Sequence, residues 1–165
     1  MNTAYKKNFG KWGEEQLDKW MAKHNWLPVE KNLKIQKGEI DRIYCSQNNI
    51  GEKKFCITEI KTNIIYSKAS FHILFTEVGI KKFIKMRQIK NLYKIGENYI
   101  ARGYKDIYLR IFVIIKTNKK MNITKFNEKT CPFKLCYNND NYYIFSIEPE
   151  FTFYQARKSL LQIKI

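Results

Sequence analysis

Apolar residues return every three or four positions between residues 9 and 24. Phe9, Gly13, Leu17, Trp20 and Met21 fall on one stripe, and that spacing predicts the first helix. Residues 26–36 carry Leu27, Val29, Leu33 and Ile35 in a pattern that predicts a strand. The period falls to two in Gly38-Glu39-Ile40-Asp41-Arg42-Ile43 and again in Phe55-Cys56-Ile57-Thr58-Glu59-Ile60-Lys61-Thr62, which predict two further strands. Between them, Ser46-Gln47-Asn48-Asn49-Ile50-Gly51-Glu52 is polar and holds a glycine, so a hairpin is the simplest link. Residues 63–77 are less regular and predict a loop or a short extra element.

Residues 79–102 predict a long second helix, with Ile80, Phe83, Ile84, Leu92, Ile95 and Tyr99 on its inner face and Gly103 as its stop. Residues 107–116 predict another strand. Its run Ile111-Phe112-Val113-Ile114-Ile115 is apolar on both faces, as in a strand central to a covered sheet. Beyond a polar connection over 117–122, residues 133–137 and 142–148 are expected to pair around Asn138-Asn139-Asp140-Asn141, and 151–165 to end in a short helix. The order helix, three strands, helix, strand implies a crossover and an α/β fold. It is an αβββαβ core with a mixed central sheet flanked by helices, plus C-terminal strand and helix additions. No repeat or linker interrupts it. Residues 1–165 read as a single domain, with the core at about 9–116 and an extension at 117–165.

Charge narrows the function. The chain of 165 residues has 31 Lys and Arg against 15 Asp and Glu, a formal net charge of +16. An anionic partner follows, nucleic acid first and an anionic membrane surface second. No apolar run is long enough to span a bilayer, and residues 1–7 lack the apolar core of a signal peptide, so a cytoplasmic setting with no membrane partner is expected. Cys45, Cys56, Cys131 and Cys136 are then reduced thiols, and their spacing makes no four-ligand zinc set.

The sharpest chemistry lies on the two motif strands. A hairpin turn centred on residue 50 puts Asp41 opposite Glu59, at a Cβ separation of roughly 5 Å where like charges repel. A hard divalent cation reverses that sign. Lys61 is two residues past Glu59 and projects from the same face. Two carboxylates and an ammonium at one spot point to a Mg²⁺ site, or Mn²⁺ in its place, built to act on phosphate. Glu14 lies at the edge of the helical stripe without an obvious local partner, whereas Glu15 sits between Lys11 and Lys19 as an ordinary solvated acid. Lys81, Lys82, Lys85, Arg87, Lys90 and Lys94 make the outer surface of the second helix basic and suited to backbone phosphates. The bland alternative makes Asp41 and Glu59 solvated strand acids bridged by Arg42 or Lys61. Trp12, Trp20 and Trp26 follow the apolar stripe and are assigned to the core, and His24 and His72 to the surface.

These motifs resemble the PD-(D/E)XK, or restriction-endonuclease-like, nucleases, and most of all their YraN-like branch, akin to Holliday-junction resolvases. The resemblance rests on Gly10-x-x-Gly13-Glu14, Gly38-Glu39-Ile40-Asp41, Thr58-Glu59-Ile60-Lys61-Thr62 and Arg110-Ile111-Phe112-Val113, and covers residues 9–116. It departs at Thr58, which is polar, and in a longer stretch after Lys116. The resemblance implies that Asp41 and Glu59 ligate the metal, with the Ile60 carbonyl as a further ligand and Glu14 completing the site. It makes Lys61 the catalytic lysine, Gln88 a polar neighbour supplied by the following helix, and Glu39 a supporting acid. Lys61 would orient or deprotonate the attacking water, or offset charge in the transition state. The implied activity is a metal-dependent endonuclease on DNA, branched or structured DNA included, with RNA left open and a homodimer as the assembly. The alternative is a nucleic-acid-binding protein on the same fold with little or no cleavage; the intact Asp41, Glu59 and Lys61 favour the enzyme.

Overall fold

A computed structural model describes residues 3–36, 38–74, 76, 79, 82, 84–117, 133–139 and 141–149. The chain runs through α1 (Thr3–Lys23), β1 (Leu27–Ile35), β2 (Gly38–Gln47), β3 (Lys53–Ile65), α2 (Lys68–Leu74), α3 (Met86–Ala101), β4 (Asp106–Thr117), β5 (Lys134–Asn138) and β6 (Tyr142–Ile147). The strands form one mixed sheet in the order β1-β2-β3-β4-β6-β5. β3 and β4 pair parallel and the other neighbours antiparallel; the β3–β4 link carries α2 and α3, which return the chain in the same direction. This is the expected α/β fold.

Side-chain alternation divides the core between the two faces of the sheet. On one face Phe55, Ile57, Leu109, Ile111 and Val113 pack with Ile89, Leu92 and Ile95 of α3 and with Phe71 and Leu74 of α2. On the other, Cys56, Ile60, Phe112, Ile114 and Ile144 pack with Leu17 and Met21 of α1. Residues Ile111 to Ile115 of β4 are at most 4% exposed, so the uninterrupted apolar run does mark a strand covered on both sides. Trp12, Trp20 and Trp26 lie partly buried against the α1 side of the core, as expected. α1 reaches the sheet at Gly13. A Cβ there would collide with Thr62 Oγ1, so glycine sets how closely helix and strand approach.

Three element boundaries differ from the sequence pattern. α1 starts at Thr3 rather than residue 9, and its added turns, Tyr5 among them, are exposed. Residues 63–77 hold the end of β3 and then α2, whose Phe71 and Leu74 are buried. α3 starts at Met86 rather than residue 79. Ile84 is buried in the core and Lys85 is extended (φ −95°, ψ 141°), which is incompatible with helix continuing through them. The far end behaves as expected. Gly103 has φ +89° and donates to the Ile100 carbonyl while Tyr104 N–H donates to that of Tyr99, a paired arrangement that closes the helix. The expected 151–165 helix, and Lys81 and Cys131 with it, lie outside the described residues. Among the described residues no helix is long and apolar enough to cross a membrane.

Candidate active site

The β2–β3 hairpin has the register read from the sequence, with pairs running from Gln47↔Lys53 to Arg42↔Thr58. Its turn is held by the Asn48 side chain, which accepts from Ile50 N–H and Glu52 N–H, while Gly51 takes φ +85°. The pairing stops one step short of Asp41 and Glu59. There the strands part, and the Asp41 carboxylate replaces a backbone acceptor: Ile60 N–H donates to Asp41 Oδ2 at 2.6 Å. The N–H and carbonyl of a strand residue emerge from the same edge, so the Ile60 carbonyl also points to the gap β2 has left.

That gap opens into a cavity of about 860 Å³. Glu14, Glu39, Asp41, Glu59, Lys61 and Gln88 all line it. Lys6, Lys34 and Arg87 add positive charge to its wall. Glu59 is nearly sealed, its side chain 3% exposed, and Oε1 accepts from Lys61 Nζ at 2.6 Å. Gln88 Nε2 donates to that same oxygen. The other end of the Gln88 amide accepts from Lys85 N–H at 3.1 Å, at the start of α3. One side chain therefore ties the first turn of α3 to the buried glutamate. Gly38, with φ +137°, lets the β1–β2 turn meet the same helix; a Cβ there would stand 2.9 Å from Asn91 Nδ2.

Glu14 reaches the cavity wall by a different route. Its Oε2 accepts from Arg42 Nη2 at 2.8 Å. Arg42 is 5% exposed, and it also contacts Asp18 through Nε at 3.2 Å and its neighbour's carbonyl, Asp41 O, through Nη1 at 2.7 Å. Tyr44 donates its hydroxyl to Asp18 at 2.7 Å. This cluster lies on the α1 face, because Arg42 and Tyr44 alternate away from Asp41. The bridging role considered for Arg42 between Asp41 and Glu59 is thus replaced by one between α1 and β2, whereas Lys61 does pair with Glu59. The signal was present in the sequence: Glu14 and Asp18 are four apart on one helix and so face a common partner.

Burial, followed by the neighbouring Glu59, pushes the Asp41 carboxyl up to about 7, against the pull of the Ile60 amide and Lys61. Burial also raises Glu59, with Lys61 and Gln88 opposing. Two desolvated carboxylates facing one gap form a hard-oxygen donor set that suits a small dication, which keeps several waters and needs only one or two protein carboxylates. Among the described residues no group of three or more His, Cys, Asp or Glu side chains is arranged to hold a metal, so the fit rests on Asp41, Glu59 and the Ile60 carbonyl. Lys82, Lys85, Arg87 and Lys90 are exposed, and Arg87 and Gln88 bring that surface to the cavity. No protein-family model matches the chain, and no curated protein matches it.

Proposed function

We propose that the protein is a divalent-metal-dependent endonuclease that hydrolyses phosphodiester bonds in DNA, with the restriction-endonuclease-like site described for its motifs. The observation that carries this is the parted end of the β2–β3 pair, where Asp41, Glu59 and Lys61 share one cavity walled by cations. Asp41, Glu59 and the Ile60 carbonyl would hold Mg²⁺ or Mn²⁺. The metal would supply Lewis acidity toward a phosphate oxygen and toward a water.

The chain's own groups do the rest. Lys61 is a hydrogen-bond donor already held 2.6 Å from a carboxylate oxygen, which suits it to offset charge gathering on a non-bridging phosphate oxygen. Gln88 fixes the Glu59 carboxylate and so the direction from which Lys61 approaches. Arg87, Lys34 and Lys6 meet the flanking phosphates at the wall. Water attacks phosphorus and gives up a proton to solvent, the bond to one ester oxygen breaks, and that oxygen leaves with a proton from solvent. A cytoplasmic setting and a two-copy assembly, which cutting both strands of a duplex would use, belong to the same proposal.

The test is cleavage of duplex, branched and single-stranded DNA, and of RNA, with Mg²⁺ or with EDTA. Activity should require the metal and fall by roughly 100-fold or more in Glu59→Gln and in Lys61→Ala. Cleavage that survives EDTA or both substitutions contradicts the mechanism. Binding without cleavage on any substrate supports the alternative, a nucleic-acid-binding protein on this fold.

A further inference from the structure

We propose that the N-terminal half of α1 is a stacking track that leads an unpaired nucleic-acid strand into the cavity. The inference rests on the proposed function for the identity of that cavity and names the substrate class it takes. α1 buries only Gly13, Leu17 and Met21 against the sheet, so its first turns overhang the core. They carry three rings in a row. Tyr5 and Phe9 stack with centroids 6.3 Å apart and planes 12° from parallel, and Phe9 and Trp12 at 5.4 Å and 8°. The inner end is anchored, since Trp12 packs edge-on against Tyr142. The outer ring, Tyr5, is 49% exposed. Phe9 lines the cavity from this side, and Tyr66, 65% exposed, lines it from the end of β3.

Cations accompany these rings, and Lys6 lines the cavity with Phe9. Lys6, Lys7 and Lys11 are exposed on the same helix, and Lys116 Nζ lies 5.3 Å from the Trp12 ring centre. The first turn has no acid to complement the helix dipole, so lysines there do not serve helix stability. The rings cover one another's inner faces, so the exposed end of the stack at Tyr5 is where a base can join, with the Lys6 ammonium at the cavity wall to meet a phosphate. A duplex has its base faces already stacked on each other and cannot offer them to a ring. An unpaired strand can, and aromatic stacking accepts any base.

The experiment reads binding in EDTA, so that it does not depend on cleavage. A fluorescein-labelled oligothymidylate and a duplex of equal length are titrated by anisotropy into the parent, Tyr5→Ala/Phe9→Ala and Tyr5→Trp. The double variant should bind oligothymidylate roughly 5- to 150-fold more weakly, with duplex affinity changed by less than about twofold, and Tyr5→Trp should bind at least as tightly as the parent. Alanine is the better helix former at both positions, and an unchanged circular dichroism spectrum verifies the fold. Unchanged oligothymidylate binding, or equal losses on both ligands, overturns the track. A parent that cuts duplex but ignores oligothymidylate removes the track and leaves the active-site proposal standing. A parent that binds oligothymidylate through these rings but cleaves nothing does the reverse.

Discussion

Replacing Asp41 with Asn should make the protein more stable at alkaline pH while abolishing cleavage. Asn keeps an oxygen acceptor for the Ile60 amide and removes the charge. Burial, then Glu59, lift the Asp41 carboxyl from its ordinary 3.8 to about 7. Between those values the folded protein retains a proton that the unfolded chain has released. Stability therefore falls as pH rises through the window. Below it both states are protonated and there is no penalty; above it the penalty is complete. At ~1.4 kcal/mol per pH unit the ceiling is about 4 kcal/mol. Urea denaturation in EDTA should show Asp41→Asn ahead of the parent by ~1–4 kcal/mol at about pH 8, with the gap nearly closed at about pH 4. Mg²⁺ should then raise the parent's midpoint and not the variant's, since a ligand stabilises only the state that binds it. A variant that is less stable at the higher pH, or a gap that does not change with pH, refutes the buried, charge-crowded site.

Gly13→Ala sets a helix gain of up to ~1 kcal/mol against overpacking on Thr62 that costs ~1–3 kcal/mol. The single variant should lose stability in urea, and Gly13→Ala/Thr62→Ala should regain it; a Gly13→Ala protein more stable than the parent would deny the close approach. Arg42→Met leaves Glu14 without its cation while Asp18 keeps Tyr44 and Lys31, so the loss should fall at the lower end of ~3–5 kcal/mol and appear as a drop in Tm. A change under about 1 kcal/mol would mean the Arg42 cluster does not join α1 to β2. Lys85→Ala/Arg87→Ala/Lys90→Ala should lower duplex affinity and flatten its dependence on salt, because fewer counterions are released on binding; an unchanged slope would remove these residues from the phosphate contacts.

What the sequence could reveal followed from periodicity. The alternation of Phe55 to Thr62, the apolar run Ile111 to Ile115 and the glycine at 103 each reflect a local rule, and the sheet, its central strand and the helix stop follow from them. The register near Asp41 also followed, because turn position fixes strand pairing. The parting of the strands did not. It depends on the Ile60 amide choosing a side-chain acceptor over a backbone one, a competition that leaves no mark in the pattern. The start of α3 escapes the pattern for a related reason. Local pattern carries the helix through positions 84 and 85, yet Ile84 is buried in the core and Lys85 is extended, so α3 begins at Met86. Glu14 was legible as an acid near the core, but its partner Arg42 belongs to a strand and is found only when both elements are placed.

The polar cluster at this end of the sheet is difficult to explain as a device for stability. A fully zipped hairpin would give the Ile60 amide a backbone acceptor and would leave Asp41 no structural task. Glu59, 3% exposed in its side chain, could be an apolar residue packed beside Ile57 and Ile111, and burying an ion pair such as Glu59–Lys61 gains little over such packing and often loses to it. Residues Ile111 to Ile115 of β4 follow the apolar solution. Departures from it gather where β2 leaves β3: a side chain standing in for a backbone acceptor, two desolvated acids, an amide reaching from α3 and a helix brought in by glycine. Each feature has a cost on its own, and together they describe oxygen donors and one ammonium held in place before any ligand arrives. Such pre-organisation costs stability in the free protein and is recovered on binding a cation and a phosphate, which is why the stability of Asp41→Asn and its loss of activity should move in opposite directions.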